Sequence, residues 1–480
     1  MKKGILIILF ACIALSGKAQ DLVKLSFEEY MEWVRLYHPI AVQAEINLRM
    51  GQMEVRKARG GFDPLVYGNL DKKQYKESTY YDKREAGVVV PTWMGVELNG
   101  VFEQNTGRFL NSESNVPSTG LLSAGASMNL GQGLILDDRR ATLRKAQIFQ
   151  QATEVERQNM LNELNLQATD MYWRWSLAKE NVEVLREGVE LAKFRFNAVK
   201  RFFELGDQAA IDTVEAFTQL LNREYRLQIA ENTFFATTQE LNTFLWDEEG
   251  NPMVLENGIV PQGLFEEFTL SPDAEELRIL VARHPELRLT DFELASLDVE
   301  RRLKTQQLLP VVKLKYNFLS ETFSDLNPSP FFDNNYKWGV SFYTPLLLRK
   351  TRGAVGLTKA KIEMKQTSRD LKELQLRTKL ESELYNWSIL NQQVNTIAQN
   401  VKSLEALLTG ESRRFEIGES TLFLVNAREV AVFDSRLTLN DLASKLRTSY
   451  AKTRFAAGLG FGENSQASII TRGLHEITAL

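Results

Sequence analysis

The chain is written twice. Glu29 to Pro64 is echoed by Glu275 to Pro310 at a fixed offset of 246 residues, so that His38-Pro39 falls on His284-Pro285 and Leu48 on Leu294. Ser127 to Trp173 recurs as Ser341 to Trp387 at an offset of 214, with Lys145-Ala146 on Lys359-Ala360 and Ile148 on Ile362. Phe203-Glu204-Leu205-Gly206-Asp207 then meets Phe415-Glu416-Ile417-Gly418-Glu419 at 212. The fall in offset places 32 extra residues in the first copy, between Pro64 and Ser127. A repeat of this kind limits the fold to two similar units with one variable loop region. Proline narrows it further: none of the twelve lies between Pro117 and Pro252, and none follows Pro345. Proline removes a backbone donor and clashes with the preceding turn, so proline-free tracts of this length read as long helices.

Each copy has one order of elements. A short helix near 26–37 leads into His38-Pro39, where proline suits the first turn of a second helix running to about residue 60. Extended segments rich in β-branched and aromatic residues follow, near 64–75, 86–91, 94–104 and 120–130 in the first copy and near 310–323 and 336–345 in the second. Both counts are even, so the chain returns to the side it left. The pattern then predicts helices over 136–204 and 350–416, each roughly 100 Å long at the usual helical rise. Glycine suits the left-handed turn that ends a helix, and Gly206 and Gly418 reverse the chain. The return helices, to about 246 and 459, carry apolar residues every seven positions: Leu220, Leu227, Phe234, Leu241 and Val425, Val432, Leu439, Leu446. A strict seven-residue period implies supercoiling against neighbouring helices. The reading is mainly α with β: a segment 1–19, a first repeat 20–246, a linker 247–272, a second repeat 273–459 and a tail 460–480.

The first nineteen residues have the form of a secretory signal peptide: basic Lys2-Lys3, an apolar stretch from Ile5 to Leu15, and small Gly17 and Ala19 before the cleavage point. Leu9-Phe10-Ala11-Cys12 resembles a lipoprotein box, with Phe10 a poor fit. Cleavage removes three lysines and makes the formal charge of −4 three units more negative. An acidic exported chain has no electrostatic reason to bind nucleic acid. No later stretch has the apolar length of a membrane helix, so entry into a membrane would use strands. The single cysteine excludes a disulfide framework, and no His/Cys spacing fits a metal. No cofactor and no catalysis are expected: His38 and His284 sit at equivalent helix starts, and no nucleophile, Walker or dinucleotide motif occurs. Tyr172-Trp173 on a long helix reads as packing rather than a sugar platform.

Hairpins this long must pack sideways, and a few strands per chain make an edge-free structure in lipid when several chains lend strands to one closed barrel. Aromatics crowd the strand end, including Tyr80, Tyr81, Trp93, Phe102, Phe109, Phe323, Phe331, Phe332, Tyr336 and Trp338, as the interfacial girdles of such a barrel require. On these residues the chain resembles the TolC-like outer membrane factors. The resemblance is carried by His38-Pro39 and His284-Pro285, the strand exits Pro64 and Pro310, Ser341 to Leu346, and the paired turns ending in Gly206 and Gly418. It implies a homotrimer in the outer membrane of a Gram-negative-type envelope, each chain giving four strands to a twelve-stranded barrel and its helices to a periplasmic α-barrel. It also implies docking of the turns, through Phe203, Leu205, Gly206, Phe415, Ile417 and Gly418, to a periplasmic adaptor bound to an inner-membrane efflux pump or ATP-driven transporter. The competing reading is an exported soluble coiled-coil scaffold.

Two departures from the family pattern stand out. The first copy has four extended segments instead of two, so Glu85 to Glu103 reads as an extra surface hairpin, and which pair enters the barrel is left open. The acidic residues expected six and nine positions after the second turn glycine are replaced by Leu424 and Ala427, whereas the first copy has Asp212 and Glu215 there, one helical turn apart. A carboxylate ring at a pore entrance selects cations by charge, and an apolar constriction gates by dewetting. Asp212 and Glu215 fit the first role or a solvated helix face; Phe423 and Leu424 fit the second or, more simply, packing between helices. N-terminal sequencing of the exported protein is expected to start at Gln20; an acylated Cys12 at the N-terminus would replace that reading.

Overall fold

A computed structural model of the protein describes residues 23–206, 209–256, 258–266, 271–321 and 335–460. The expected signal peptide with Cys12, Asp207, the aromatics Phe323, Phe331 and Phe332, and the tail beyond Gly460 with His475 lie outside these residues. In chain order the elements are β1 (Val23–Leu25), α1 (Phe27–Tyr37), α2 (Pro39–Arg59), β2 (Leu65–Tyr75), β3 (Ser78–Pro91), β4 (Val96–Thr106), β5 (Leu121–Asn129), α3 (Asp138–Leu205), α4 (Ala210–Asn242), β6 (Ile259–Pro261), α5 (Ala274–Val281), α6 (Pro285–Gln306), β7 (Val311–Ser320), β8 (Tyr336–Tyr343), α7 (Arg349–Glu416) and α8 (Leu422–Ala456). The fold is mostly helical, and α3 and α7 are each 68 residues long. Two compact units form: one from the described residues within Met1–Gln43, Asn159–His284 and Leu376–Leu480, the other from Ala44–Gln158 and Pro285–Gln375.

The first unit is helical around an aromatic core. Ser26 accepts from the Glu29 N–H and Glu29 answers to the Ser26 N–H, a reciprocal cap that starts α1. The helix then buries Phe27, Tyr30, Met31 and Val34 along one face. Leu164, Ala168, Tyr172 and Trp175 of α3 recur at helical spacing and fill the same cluster, with Leu241 from α4. Tyr172 is placed by two hydrogen bonds. Its hydroxyl donates to the Leu25 carbonyl at 2.6 Å and accepts from the Gln262 N–H at 3.0 Å. It thereby ties α3 to the parallel pair β1–β6, in register Val23↔Ile259. Three-residue strands have no readable period, which is why the sequence reading leaves 259–261 as linker. Trp173 is buried beneath the Arg447 guanidinium, 4.8 Å from its ring, and Arg447 donates to the Leu264 carbonyl at 2.8 Å. Burial draws the Arg447 pKa down to about 10. The aromatic pair is therefore core, not a ligand platform.

The second unit joins the remaining helical segments to a six-stranded antiparallel sheet of order β2-β3-β4-β5-β7-β8. Val55 and Ala58 of α2 meet Ala146 of α3, and Leu136 and Ala141 meet Val299 of α6. Close approach of α2 and α3 depends on Gly51, where a Cβ would lie 2.6 Å from the Thr153 hydroxyl. Helices α6 and α7 are laced by Glu286–Lys372, Asp291–Arg369 and Glu293–Lys365. Such exposed pairs orient helices more than they stabilise them.

Two expectations are corrected. The strand expected near 86–91 begins at Ser78, and Glu85 to Glu103 is no separate surface hairpin: β3 pairs with β2 on one side and β4 on the other, and β4 pairs onward with β5. Beyond the apolar part of the sheet both faces of β3 are polar, so Tyr81-Asp82-Lys83-Arg84 shows no alternation to read.

His38 acts as the helix-start residue expected of it. Its Nδ1 accepts from the Ile40 N–H at 3.2 Å, and the ring stacks on Phe244. Burial holds its pKa below the ordinary value. A depressed histidine contributes stability that is complete above about pH 6.5 and is lost as pH falls through the folded-state value. His38→Asn, which keeps a cap acceptor but cannot titrate, is expected to lessen the drop in melting temperature on acidification from about pH 7 to about pH 5; an unchanged drop would remove His38 from the acid response.

Candidate functional site

Two regions carry the sequence-predicted residues or the surfaces they imply. The first is the turn end of the hairpins, within the helical unit. Helix α3 stops because Gly206 takes φ +87°, and α7 stops because Gly418 takes φ +79°. Nothing lies within 4 Å of a Cβ built on either glycine, so conformation and not space selects glycine there. The Gly418 N–H bonds the Phe415 carbonyl at 3.1 Å and the Glu419 N–H the Arg414 carbonyl at 2.8 Å, satisfying the last carbonyls of α7. Thr421 then caps α8 by accepting from the Leu424 N–H. Val199, Ala216 and Leu422 form a small core with Phe415 packed against it, which holds the two turns side by side.

That core sorts the expected docking residues. Phe415 turns inward, whereas Phe203, Leu205 and Ile417 are exposed, the last two by 68% and 70%. Ile211 and Val214 of α4 are exposed beside them. Together these side chains leave an apolar patch exposed at the turn end. Phe423 and Leu424 also point outward, while Leu422 and Val425 on either side are buried. Packing within the chain therefore does not account for Phe423 and Leu424. Of the acidic pair, Asp212 is partly exposed, and Glu215 faces α8, where its carboxylate accepts from the Asn426 amide at 3.1 Å.

Asn426 opens a polar network that the sequence reading missed. Its amide oxygen accepts from Arg195, and Arg195 also pairs with Glu429. Glu429, with a side chain only 1% exposed, receives Arg223 on its other oxygen at 2.6 Å. Arg223 donates further to the Gly188 carbonyl and lies over the Phe433 ring. Burial lowers the Arg223 pKa, and the Glu429 charge opposes the shift. The signal was in the seven-residue pattern: Arg223 lies between Leu220 and Leu227, and Glu429 between Val425 and Val432, both at inward positions. Charges in an apolar seam must meet one another.

The second region is the sheet, whose two faces differ in kind. Hydrogen-bonded partners share a face, so the register sorts the residues. One face carries Val66, Val88, Leu98, Phe102, Ala126, Leu314, Trp338 and Phe342; the other carries Asp71, Lys83, Glu85, Glu97, Ser127, Lys313 and Lys337. At the helix-proximal end of the polar face, Glu97 gathers Arg139 at 2.8 Å and Lys313 at 3.5 Å. Trp338 and Phe342 are 62% and 66% exposed on the apolar face. Among the described residues, no cluster of His, Cys, Asp and Glu could hold a metal ion, and no helix is long and apolar enough to cross a membrane.

A family model described as outer membrane efflux protein matches residues 277–459. A search of curated proteins by sequence found no significant match. The chain shares its fold with CusC, a structure described in terms of folding and transmembrane channel formation, at a TM-score of 0.66 and 14% identity over 90% of this chain and 92% of that one. It is similar to the outer membrane protein VceC from Vibrio cholerae, with TM-score 0.63 and 14% identity over 90% and 96%. It is also similar to the MtrE outer membrane channel of Neisseria gonorrhoeae in its open state, with TM-score 0.65 and 13% identity over 93% and 94%. At these identities the likeness is one of fold. The resemblance to outer membrane factors read from the sequence is borne out by these matches.

Removing one partner of a buried ion pair strands a charge, at a cost of about 3–5 kcal/mol, whereas removing both costs less. Glu429→Ala and Arg223→Ala are each expected to lower the melting temperature sharply, and the double variant by much less than their sum. A double-mutant cycle on thermal unfolding checks it; additive losses would mean that the two groups are not coupled.

Proposed function

We propose that this chain is the outer-membrane channel of a tripartite efflux or secretion assembly, three copies of it conducting substrate passively from an inner-membrane transporter out of the cell. The observation that carries the reading is the two-faced sheet. One face is apolar and exposed, the other is lined with charge, and strands of this length suit a membrane. A soluble protein would bury that apolar face, and a coiled-coil tether has no use for it.

The helices support self-association. Leu357, Met364 and Leu371 of α7 recur every seven residues and are all exposed, as are Val214, Phe217 and Leu221 at helical spacing on α4. Copies of the same chain packed around an axis cover such stripes and leave a central tunnel, the periplasmic α-barrel. The internal two-fold repeat lets one chain supply two similar hairpins to that wall. The patch around Leu205, Ile211 and Ile417 is suited to a periplasmic adaptor, itself bound to an efflux pump or ATP-driven transporter. In this assembly Phe423 and Leu424 would narrow the entrance and Asp212 with Glu215 would set its charge. The export signal, the outer-membrane location and the periplasmic extension follow together.

Reconstituted into planar bilayers, the purified protein is expected to give discrete conductance steps as a trimer. Asp212→Asn with Glu215→Gln is expected to weaken block by divalent cations while leaving assembly intact. No conductance from an inserted trimer would overturn the channel; unchanged block and conductance would overturn only the acidic entrance.

A further inference from the structure

The resemblance implies four strands per chain, but the sheet has six, and the surplus is the pair β3–β4. We propose that this pair is itself wall of the membrane barrel, facing lipid acyl chains, so that each chain brings six strands and β8 pairs edge to edge with β2 of a second copy. The proposal rests on the channel reading above and goes beyond it.

Pairing is the first argument. The inserted strands lie in line, β3 bonded to β2 and β4, and β4 bonded to β5. Moving them out of the wall would separate β2 from β5, which share no register, and would open two new edges. Open edges do not occur in the hydrocarbon layer, because no water is there to satisfy them.

Side-chain chemistry is the second. One row runs through all six strands by direct hydrogen-bonded neighbours: Val66, Val88, Gly100, Ala124, Phe318 and Tyr336. The inserted pair continues the apolar face without a break. Among the described strand residues, charges reach that face only near the β2–β3 turn, where Lys72 and Arg84 flank Asp82. The opposite face of the same pair carries Lys83, Glu85, Glu97 and Glu103. This distribution complements a hydrocarbon layer on one side, headgroups at the turn and water on the other side. Parity is the third argument. With six alternating strands the outer two run in opposite directions, so β8 meets the next copy's β2 antiparallel, as every other pair in the sheet. Three copies then close eighteen strands, a wall roughly half as wide again as one of twelve, since diameter grows with strand number.

Single cysteines test the pair against the rest of the sheet, because the chain's one native cysteine lies in the segment expected to be cleaved. Val88→Cys and Leu98→Cys probe the inserted strands, Ala126→Cys and Val340→Cys the others, and Glu77→Cys the turn. Trimers in phosphatidylcholine vesicles are treated with a membrane-impermeant maleimide. The proposal expects all four sheet sites to be protected and the turn site to label. Labelling of Val88→Cys and Leu98→Cys with the other two protected would overturn the six-strand wall and leave the channel reading standing. Labelling of all four would overturn the channel reading itself. Should the variants not assemble, electron cryo-microscopy of the unmodified trimer decides: six strands per chain in the wall supports the proposal, and four overturns it.

Discussion

Every other part of this structure answers to one requirement: backbone groups and apolar side chains that the chain cannot satisfy alone. The sheet has edges at β2 and β8 and one face of exposed Trp, Phe, Val and Leu. An exposed apolar face in water costs about 25 cal/mol for each square ångström left uncovered, and unpaired edges invite association with other strands. The exposed stripes on α4 and α7 pose the same demand in helical form. A chain of this kind has its stability distributed between its own cores and whatever covers it.

Inside the chain, two sorts of contact fix the pieces in place. The aromatic core around Tyr172 and Trp175 is non-directional, but the Tyr172 hydroxyl makes it specific by bridging β1 and β6. Around Glu429 the balance is reversed. Two arginines from α3 and α4 converge on one carboxylate of α8, so the hairpins can pack only in the register that brings those charges together. Buried pairs add little net stability against a well-packed apolar seam; their best-attested use is to set registry.

Much of this was legible in the sequence. The long helices were, because absence of proline and a seven-residue period persist over many turns, and their ends were marked by Gly206 and Gly418. The second-copy strands were, because Val311 to Ser320 and Tyr336 to Tyr343 alternate. What escaped has physical reasons. The first part of β3 is polar on both faces, so it gives no periodic signal. The partners of Glu429 are more than two hundred residues away, and pairing at that separation is decided by topology. The sequence itself shows only a charge at a seam position, at Arg223 and at Glu429. For the turn residues, sequence placed them well but not their orientation: Phe415 packs inward while Ile417, two residues on, faces out.

The two 68-residue helices have a consequence for how such a protein can change over time. Insertion of a single residue rotates everything beyond it by about 100°. Arg195, near the end of α3, would swing away from Glu429, and the apolar seam would turn to face water. Lengthening the hairpins is therefore open only in steps of about seven residues, which restore the face, and only if α3, α4, α7 and α8 all take the step together. Point substitution leaves that face where it is, whereas the length of the hairpin helices is quantised.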